Sequence, residues 1–239
     1  MDKKGRIMEK IIIAIGGGDM REKTTLKIDE YIATLAKKHA GDKRAYGLYI
    51  GTASHDFMPA FNTFRKTYTS VFDIKADCLL LENVITSDER IDEKLSKADF
   101  IYVSGGDTLY MLKKWEERGL IKKLIDAYNR GVIITGRSAG AICWFENMYT
   151  DSEMLNGLSE EYKLYNGLGV LKGTCSPHYN LRQVDFDKAV VDNGIENAYA
   201  IEDNSAVEFI NGNYSKSISS GGNSYLISQT NGVIHKKIL

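Results

Sequence analysis

Short apolar runs closed by small or polar residues recur through the first part of the chain. Ile11-Ile12-Ile13-Ala14-Ile15, Tyr46 to Ile50, Cys78 to Leu81, Phe100 to Val103 and Val132 to Thr135 are rich in β-branched and aromatic side chains. Runs of this kind predict strands, and the first, apolar without alternation, predicts one buried on both faces. Between them the apolar residues fall at helical spacing. Leu26, Ile28, Ile32, Leu35 and Ala36 do so within Thr25 to Lys38; Phe57, Phe61, Phe64 and Tyr68 form one stripe within Phe57 to Val71; Leu109, Leu112 and Trp115 share a face within Thr108 to Arg118. Further helices are expected at Ser87 to Ala98, with Asp88 and Glu89 at its positive N-terminus, at Ile121 to Asn129, and from Ala141 to Met148. Strands alternating with helices predict an α/β fold: a doubly wound, mostly parallel sheet with helices on both sides. From Ala206 the pattern changes. Ala206 to Ile210, Tyr225 to Ser228 and Val233 to Leu239 read as strands, and Asn211-Gly212 and Asn231-Gly232 read as hairpin turns, giving a β-rich C-terminal end. No repeat, low-complexity segment or linker interrupts this order, so one α/β domain over residues 1–239 is expected, with 1–8 loosely held.

Composition narrows the function classes. Lys and Arg number 31 against 32 Asp and Glu, for a formal net charge of -1, which offers no global attraction to nucleic acid or to an anionic membrane. Cys78, Cys143 and Cys175 are odd in number and far apart, without a Cys-x-x-Cys pair, which argues against a disulfide framework or zinc ribbon. Met1 to Lys10 is charged and lacks the apolar run of a signal peptide, and no stretch is apolar enough for a membrane span. A reducing, cytoplasmic setting is the expectation, with neither nucleic acid nor membrane as partner.

Gly136-Arg137-Ser138-Ala139-Gly140 matches the pattern Gly-x-Ser-x-Gly. A sharp strand-to-helix turn there lifts a strained serine above the sheet, and the residues two before and two after must be tiny because strand and helix approach closely. A glycine-rich turn with an incidental serine would give the same pattern. The apolar strand before it and the apolar segment after it favour the nucleophile. A serine needs a base, and four histidines are available. His39 reads as solvated beside Lys37 and Lys38, His55 as a loop residue, and His235 as a strand residue facing water. His178, in the non-periodic Cys175-Ser176-Pro177-His178-Tyr179-Asn180, lies where catalytic residues gather at strand ends. A carboxylate must orient the imidazole. Asp203, at a strand-to-turn boundary in Ala200-Ile201-Glu202-Asp203-Asn204, and Glu153, in the polar segment after the serine, are the candidates, with geometry favouring Asp203. Backbone N–H groups of Ala139 and of Gly105 or Gly106, in Ser104-Gly105-Gly106-Asp107, are candidates for binding an oxyanion; Asp107 also reads as a helix N-cap. Arg137, Asp107 and Tyr179 neighbour these groups along the chain and are candidates for substrate contact. Gly16-Gly17-Gly18-Asp19 fails both Gly-x-Gly-x-x-Gly and the P-loop, and reads as a turn at the edge of the cleft. No metal-ligand spacing is present, so no metal or cofactor is expected, and Cys143 and Cys175 read as buried fillers.

With these residues in hand, the sequence resembles the peptidase E family of serine peptidases, which also includes cyanophycinase. The resemblance rests on Val103-Ser104-Gly105-Gly106-Asp107-Thr108-Leu109, Gly136-Arg137-Ser138-Ala139-Gly140-Ala141, Pro177-His178-Tyr179 and Ile201-Glu202-Asp203-Asn204-Ser205-Ala206. It implies a fold like class I glutamine amidotransferases, with serine where those enzymes have cysteine. It also implies cofactor-free hydrolysis of small peptides, as by an aspartyl dipeptidase, with Ser138 as nucleophile and His178 as base; the acid stays open between Glu153 and Asp203. Aspartyl specificity stays open, because Arg137 stands inside the elbow and the basic residues that would hold an acidic substrate are not matched. Two alternatives remain: an esterase of the α/β-hydrolase type, whose triad runs Ser, acid, His, and a non-catalytic binding module that kept the elbow. The expected partner is a small peptide substrate, with a homodimer as the expected assembly if there is one.

Overall fold

The computed structural model describes residues 9–82 and 86–239; the expectation for residues 1–8 lies outside them. The first sheet is built on strand β1 (Ile11–Ile15), whose residues are buried throughout. Its side chains alternate between two cores: Ile12 and Ala14 face one, Ile11, Ile13 and Ile15 the other. Burying an isoleucine contributes roughly 1.5–3 kcal/mol, so a strand sandwiched this way is held from both faces. Helix α1 (Leu26–Ala40) follows, then β2 (Tyr46–Ile50), a 3₁₀ turn at Thr52–Ser54, and α2 (Met58–Lys66), which continues as a π-helical turn over Thr67–Val71. β3 (Lys75–Leu79), α3 (Asp88–Lys97), β4 (Phe100–Val103), α4 (Thr108–Glu117), α5 (Leu120–Asn129) and β5 (Ile133–Arg137) complete the alternating part.

After β5 the chain departs from the expected helix over Ala141 to Met148. Helix α6 (Ala139–Ile142) is a single turn, and β6 (Phe145–Thr150) follows at once. The carbonyls that a longer helix would have used are taken by a distant loop: Leu168 N–H donates to Cys143 O, Gly169 N–H to Phe145 O and Leu171 N–H to Trp144 O. Then come α7 (Ser152–Leu155), β7 (Lys163–Asn166), β8 (Leu171–Ser176), α8 (Tyr179–Asp192), β9 (Ala198–Ile201), β10 (Ser205–Ile210), β11 (Asn213–Ser219), β12 (Ser224–Thr230) and β13 (Val233–Ile238). Both Asn-Gly pairs form the expected hairpins, with Asn211, Gly212, Asn231 and Gly232 all at positive φ.

Two sheets result. The first runs β11-β10-β1-β5-β4-β2-β3, parallel from β1 to β3 with β10 and β11 antiparallel at one edge; the second runs β13-β12-β9-β8-β6-β7, with β6, β8 and β9 parallel. One face of the first sheet is covered by α1 and α2, packing Ile28, Ile32, Phe61, Phe64 and Tyr68. The other is covered by α3 to α5 and by Trp144, Phe145 and Met148 on the way into the second sheet. This is a doubly wound α/β arrangement with a β-rich C-terminal end. No helix among the described residues is long and apolar enough to cross a membrane.

Candidate active site

Register sets the location. Ile15 pairs with Arg137, Val103 with Gly136 and Ile50 with Val103, so the loops after β1, β2, β4 and β5 emerge side by side at the carboxyl edge of the first sheet. Ser138 sits at the end of β5 with φ 53 and ψ -113, a conformation that L-residues adopt only under constraint. Its N–H donates to Ile15 O at 2.9 Å, tying the turn to β1. The flanking glycines are required sterically: a Cβ on Gly136 would lie 2.1 Å from Gly140 O, and one on Gly140 would lie 2.4 Å from Val103 O.

His178 caps the start of α8 in the left-handed region, and its N–H donates to Gly16 O at 3.2 Å. Its Nε2 is 2.9 Å from Ser138 Oγ, and its Nδ1 is 2.6 Å from Asp203 Oδ1. A carboxylate only accepts, so the Nδ1 proton lies toward Asp203 and Nε2 accepts the serine O–H. Burial holds the His178 imidazole below its ordinary pKa; the neighbouring Asp203 charge opposes this and Arg182 adds to it. Hydroxyl, imidazole and carboxylate in this order are what general-base activation of a serine requires.

Asp203 stands in the turn between β9 and β10. Gly17 forms an isolated bridge to Asp203, and Asn204 N–H donates to Gly17 O at 3.2 Å. Asn180 brackets it: its Nδ2 donates to Asp203 Oδ2 at 3.1 Å, and its Oδ1 accepts from Asp203 N–H at 2.9 Å. Glu153 is elsewhere engaged. Its carboxylate is held by Lys163 and Tyr165, hydrogen bonds that depress its pKa, and it makes no hydrogen bond to His178.

The remaining candidates divide. Gly105 lies against Ser138, since a Cβ there would be 3.2 Å from Ser138 Cβ. Gly106 backs instead onto the 3₁₀ turn, where a Cβ would meet Ala53 O at 2.0 Å. The N–H groups of Gly105, Gly106 and Ala139 donate to no backbone acceptor among the described residues. Arg137 donates from Nη1 to Gly18 O at 2.7 Å and lines a small cavity with Tyr49, Tyr102 and Phe64. Asp107 caps α4 by accepting from Tyr110 N–H at 3.1 Å, and its other oxygen takes Asn156 Nδ2 at 2.6 Å. Tyr179 is buried and donates to Asp187 Oδ1 at 2.8 Å, within the core under α8.

His39 departs from its solvated reading: helix α1 runs on to Ala40 and turns the imidazole inward to Asp99 Oδ1, at 2.8 Å. His55 packs against Tyr110 with ring centroids 4.2 Å apart and the planes tilted by 44°, and His235 is exposed on β13. Cys143 and Cys175 are fully buried, and burial pushes both thiols up in pKa. No cluster of three or more His, Cys, Asp or Glu suited to a metal occurs among the described residues. The glycine run read as a turn at the edge of the cleft puts Gly17 against the His178–Asp203 pair, a contact that sequence reasoning did not specify, and Asn180 was missed, for which the local sequence holds no signal.

A family model for peptidase family S51 matches residues 12–217. The uncharacterized peptidase YgaJ of Bacillus subtilis (strain 168) is 32% identical over 216 residues, 89% of this chain and 88% of that protein. Peptidase E of Salmonella typhimurium (strain LT2) is 33% identical over 108 residues, 44% of this chain and 47% of that protein. Among solved structures, a peptidase from an acI-B1 Actinobacterium superposes with TM-score 0.69 at 17% identity, covering 98% of this chain and 95% of that one. A putative peptidase E protein from Listeria monocytogenes EGD-e superposes with TM-score 0.65 at 21% identity, covering 88% and 98%. At these identities the two structures speak to the fold.

Proposed function

This chain belongs to peptidase family S51 and is a peptidase, and we propose that it hydrolyses small peptides in the manner of a dipeptidase, through an acyl-enzyme on Ser138. The observation that carries the reading is the 2.9 Å approach of Ser138 Oγ to His178 Nε2 on a strained elbow, with Asp203 at 2.6 Å from the far nitrogen. In the first step Ser138 Oγ attacks the scissile carbonyl and His178 Nε2 takes its proton. The carbonyl oxygen becomes an oxyanion, for which the N–H groups of Ala139 and Gly105 are the donors at hand; such a donor contributes roughly 3 kcal/mol to barrier lowering. The C–N bond then breaks as His178 returns the proton to the leaving amine. Water, deprotonated by the same imidazole, releases the acid and restores Ser138. Asp203 keeps the Nδ1 proton in place and offsets the imidazolium charge without taking the proton.

The chain order Ser138, His178, Asp203 speaks against the esterase alternative, whose acid precedes its histidine. Small peptides as substrates rest on the resemblance to peptidase E. The test is a serine-directed fluorophosphonate together with a library of dipeptides with free N-termini. The wild-type protein should be labelled at Ser138 and cleave members of the library, and Ser138→Ala should do neither while keeping its circular dichroism spectrum. Labelling that survives Ser138→Ala, or a correctly folded wild type that is never labelled, would refute Ser138 as the acylated residue.

A further inference from the structure

Asn180 stands two residues after His178, on the first turn of α8, and is exposed. Water could serve both ends of such an amide, yet both ends are spent on one residue. Oδ1 accepts from the N–H of Asp203 at 2.9 Å, and Nδ2 donates to Asp203 Oδ2 at 3.1 Å. The two partners have opposite polarity. The N–H only donates and the carboxylate only accepts, so together they dictate which end of the amide faces which.

The carboxylate has few other supports. Among the described residues its oxygens accept only from His178 Nδ1, at 2.6 Å, and from Asn180 Nδ2, and no Lys or Arg pairs with it. A carboxylate held through one oxygen can turn about its Cβ–Cγ bond, a broad torsion. A donor on the second oxygen stops that turn. A cation there would do so too, but it would neutralise the charge that must offset an imidazolium. An amide orients the acid and leaves the charge whole. Because Asn180 and His178 begin the same helix, the acid is aligned to the element that carries the imidazole.

We propose that Asn180 is a positioning residue, whose amide sets the plane of the Asp203 carboxylate so that Oδ1 stays on the Nδ1 proton of His178 throughout the reaction. The inference rests on Ser138, His178 and Asp203 as the reacting set and adds to them a residue that acts only through the acid.

Two variants separate orientation from packing. Asn180→Ala removes both bonds and should lower kcat on the best library peptide roughly 10- to 100-fold, with KM little changed. Asn180→Asp keeps the shape. While protonated, the added carboxyl can donate its O–H to Asp203 Oδ2 and accept the same N–H. Once ionised, it meets a like charge across the 3.1 Å now spanned by Nδ2 and Oδ2. Its kcat/KM should therefore rise and then fall with pH, whereas wild type and Asn180→Ala should rise to plateaus of different height. The other charges around the pair are already matched: Arg182 with Asp151 at 2.8 Å, and Glu202 with the N–H of Asn223 and the O–H of Tyr225.

Nitrogen-15 NMR of the His178 ring gives a readout that needs no turnover. Wild type should show the Nδ1–H tautomer almost alone, and Asn180→Ala a mixture of both. A single tautomer in Asn180→Ala, a kcat within about twofold of wild type, or a plateau for Asn180→Asp would overturn the proposal. Should the wild type never be labelled by the phosphonate while the tautomers respond as expected, the Ser138 chemistry falls and the positioning role of Asn180 stands.

Discussion

Adding one methyl group at Gly17 should disable the site without unfolding the protein. A Cβ at Gly17 would stand 1.8 Å from Asp203 Oδ1 and 2.4 Å from His178 Nδ1. An ordinary contact needs about 3.5 Å, so the carboxylate must retreat by about 1.5 Å and the imidazole by about 1 Å. The 2.6 Å bond between them cannot survive both movements. The atoms displaced are the ends of side chains rather than backbone, and Gly17 is not at positive φ, so alanine fits the local chain. The stability cost should stay within the roughly 1–3 kcal/mol of ordinary overpacking. A misplacement of about 1 Å costs roughly 100-fold in rate, and losing the acid's orienting role costs up to about 10⁴-fold, so Gly17→Ala should lower kcat/KM by roughly 10² to 10⁴, or about 3–5 kcal/mol of barrier. The assay is kcat/KM on the best library peptide, the rate of phosphonate labelling, and thermal unfolding by circular dichroism. The methyl acts on the same pair that Asp203→Ala removes, so the double variant should be little worse than the poorer single one. A folded Gly17→Ala protein labelled at the wild-type rate would refute the geometry on which the triad rests.

The choice of acid has a direct comparison: Asp203→Asn should reduce kcat by up to about 10⁴-fold, while Glu153→Gln, which only frees Lys163 and Tyr165 at the surface, should leave it near wild type; the reverse ranking would hand the role to Glu153. His178 must be neutral to act as base and its pKa is held down by burial, so kcat/KM should rise with pH through an inflection below about 6.5; an inflection well above that value would contradict the burial argument. Asp29 is buried against Thr25 and Tyr68, and burial raises its carboxyl from 3.8 to about 6. The folded state therefore holds this proton more tightly than the unfolded one. The stability it contributes is complete below about pH 4 and is lost as pH rises through 6, by up to about 3 kcal/mol. Asp29→Asn should flatten the Tm profile between those limits; an unchanged profile would show that another group carries the dependence.

The parts of the site that were legible in the sequence are those governed by local sterics. Gly136, Ser138 and Gly140 announce themselves because a tight strand-to-helix turn has no room for larger residues, and the 2.1 Å and 2.4 Å at which added Cβ atoms would meet Gly140 O and Val103 O show that crowding. Asn211-Gly212 and Asn231-Gly232 were legible for a similar reason, since two successive positive φ angles select that pair. What the sequence left open depends on partners far along the chain. Glu153 and Asp203 are equally acidic in a polar segment; the bridge from Gly17, the bracket from Asn180 and the Lys163–Tyr165 clamp on Glu153 separate them, and each joins residues ten or more positions apart. Asp107 and Tyr179 stand next to site residues in sequence, yet their polar atoms are spent on Tyr110, Asn156 and Asp187. The helix expected over Ala141 to Met148 gave way to β6 because the loop around Leu168 to Leu171 captures its carbonyls.

The three groups of the candidate triad come from different layers of the fold, and that division constrains how the site can be held. Ser138 ends β5 in the first sheet. His178 follows β8 in the second sheet, and Asp203 lies in the turn where the chain crosses from β9 in the second sheet to β10 in the first. A triad split this way would drift apart with any slippage between the sheets unless something fixed the crossing. The loop after β1 does so: Ile15 O holds Ser138 N–H, Gly16 O accepts from His178 N–H while Gly16 N–H donates to Ser205 O, and Gly17 O accepts from Asn204 N–H. One short segment thus contacts the backbone at all three positions of the candidate triad or their immediate neighbours, and a side chain at Gly17 would enter the space between His178 and Asp203. The glycines that carry no nucleotide-binding signature are explained by this demand, since a Cβ on Gly16 would lie 2.4 Å from Ile201 O and Glu202 O, and one on Gly17 would lie 1.8 Å from Asp203 Oδ1.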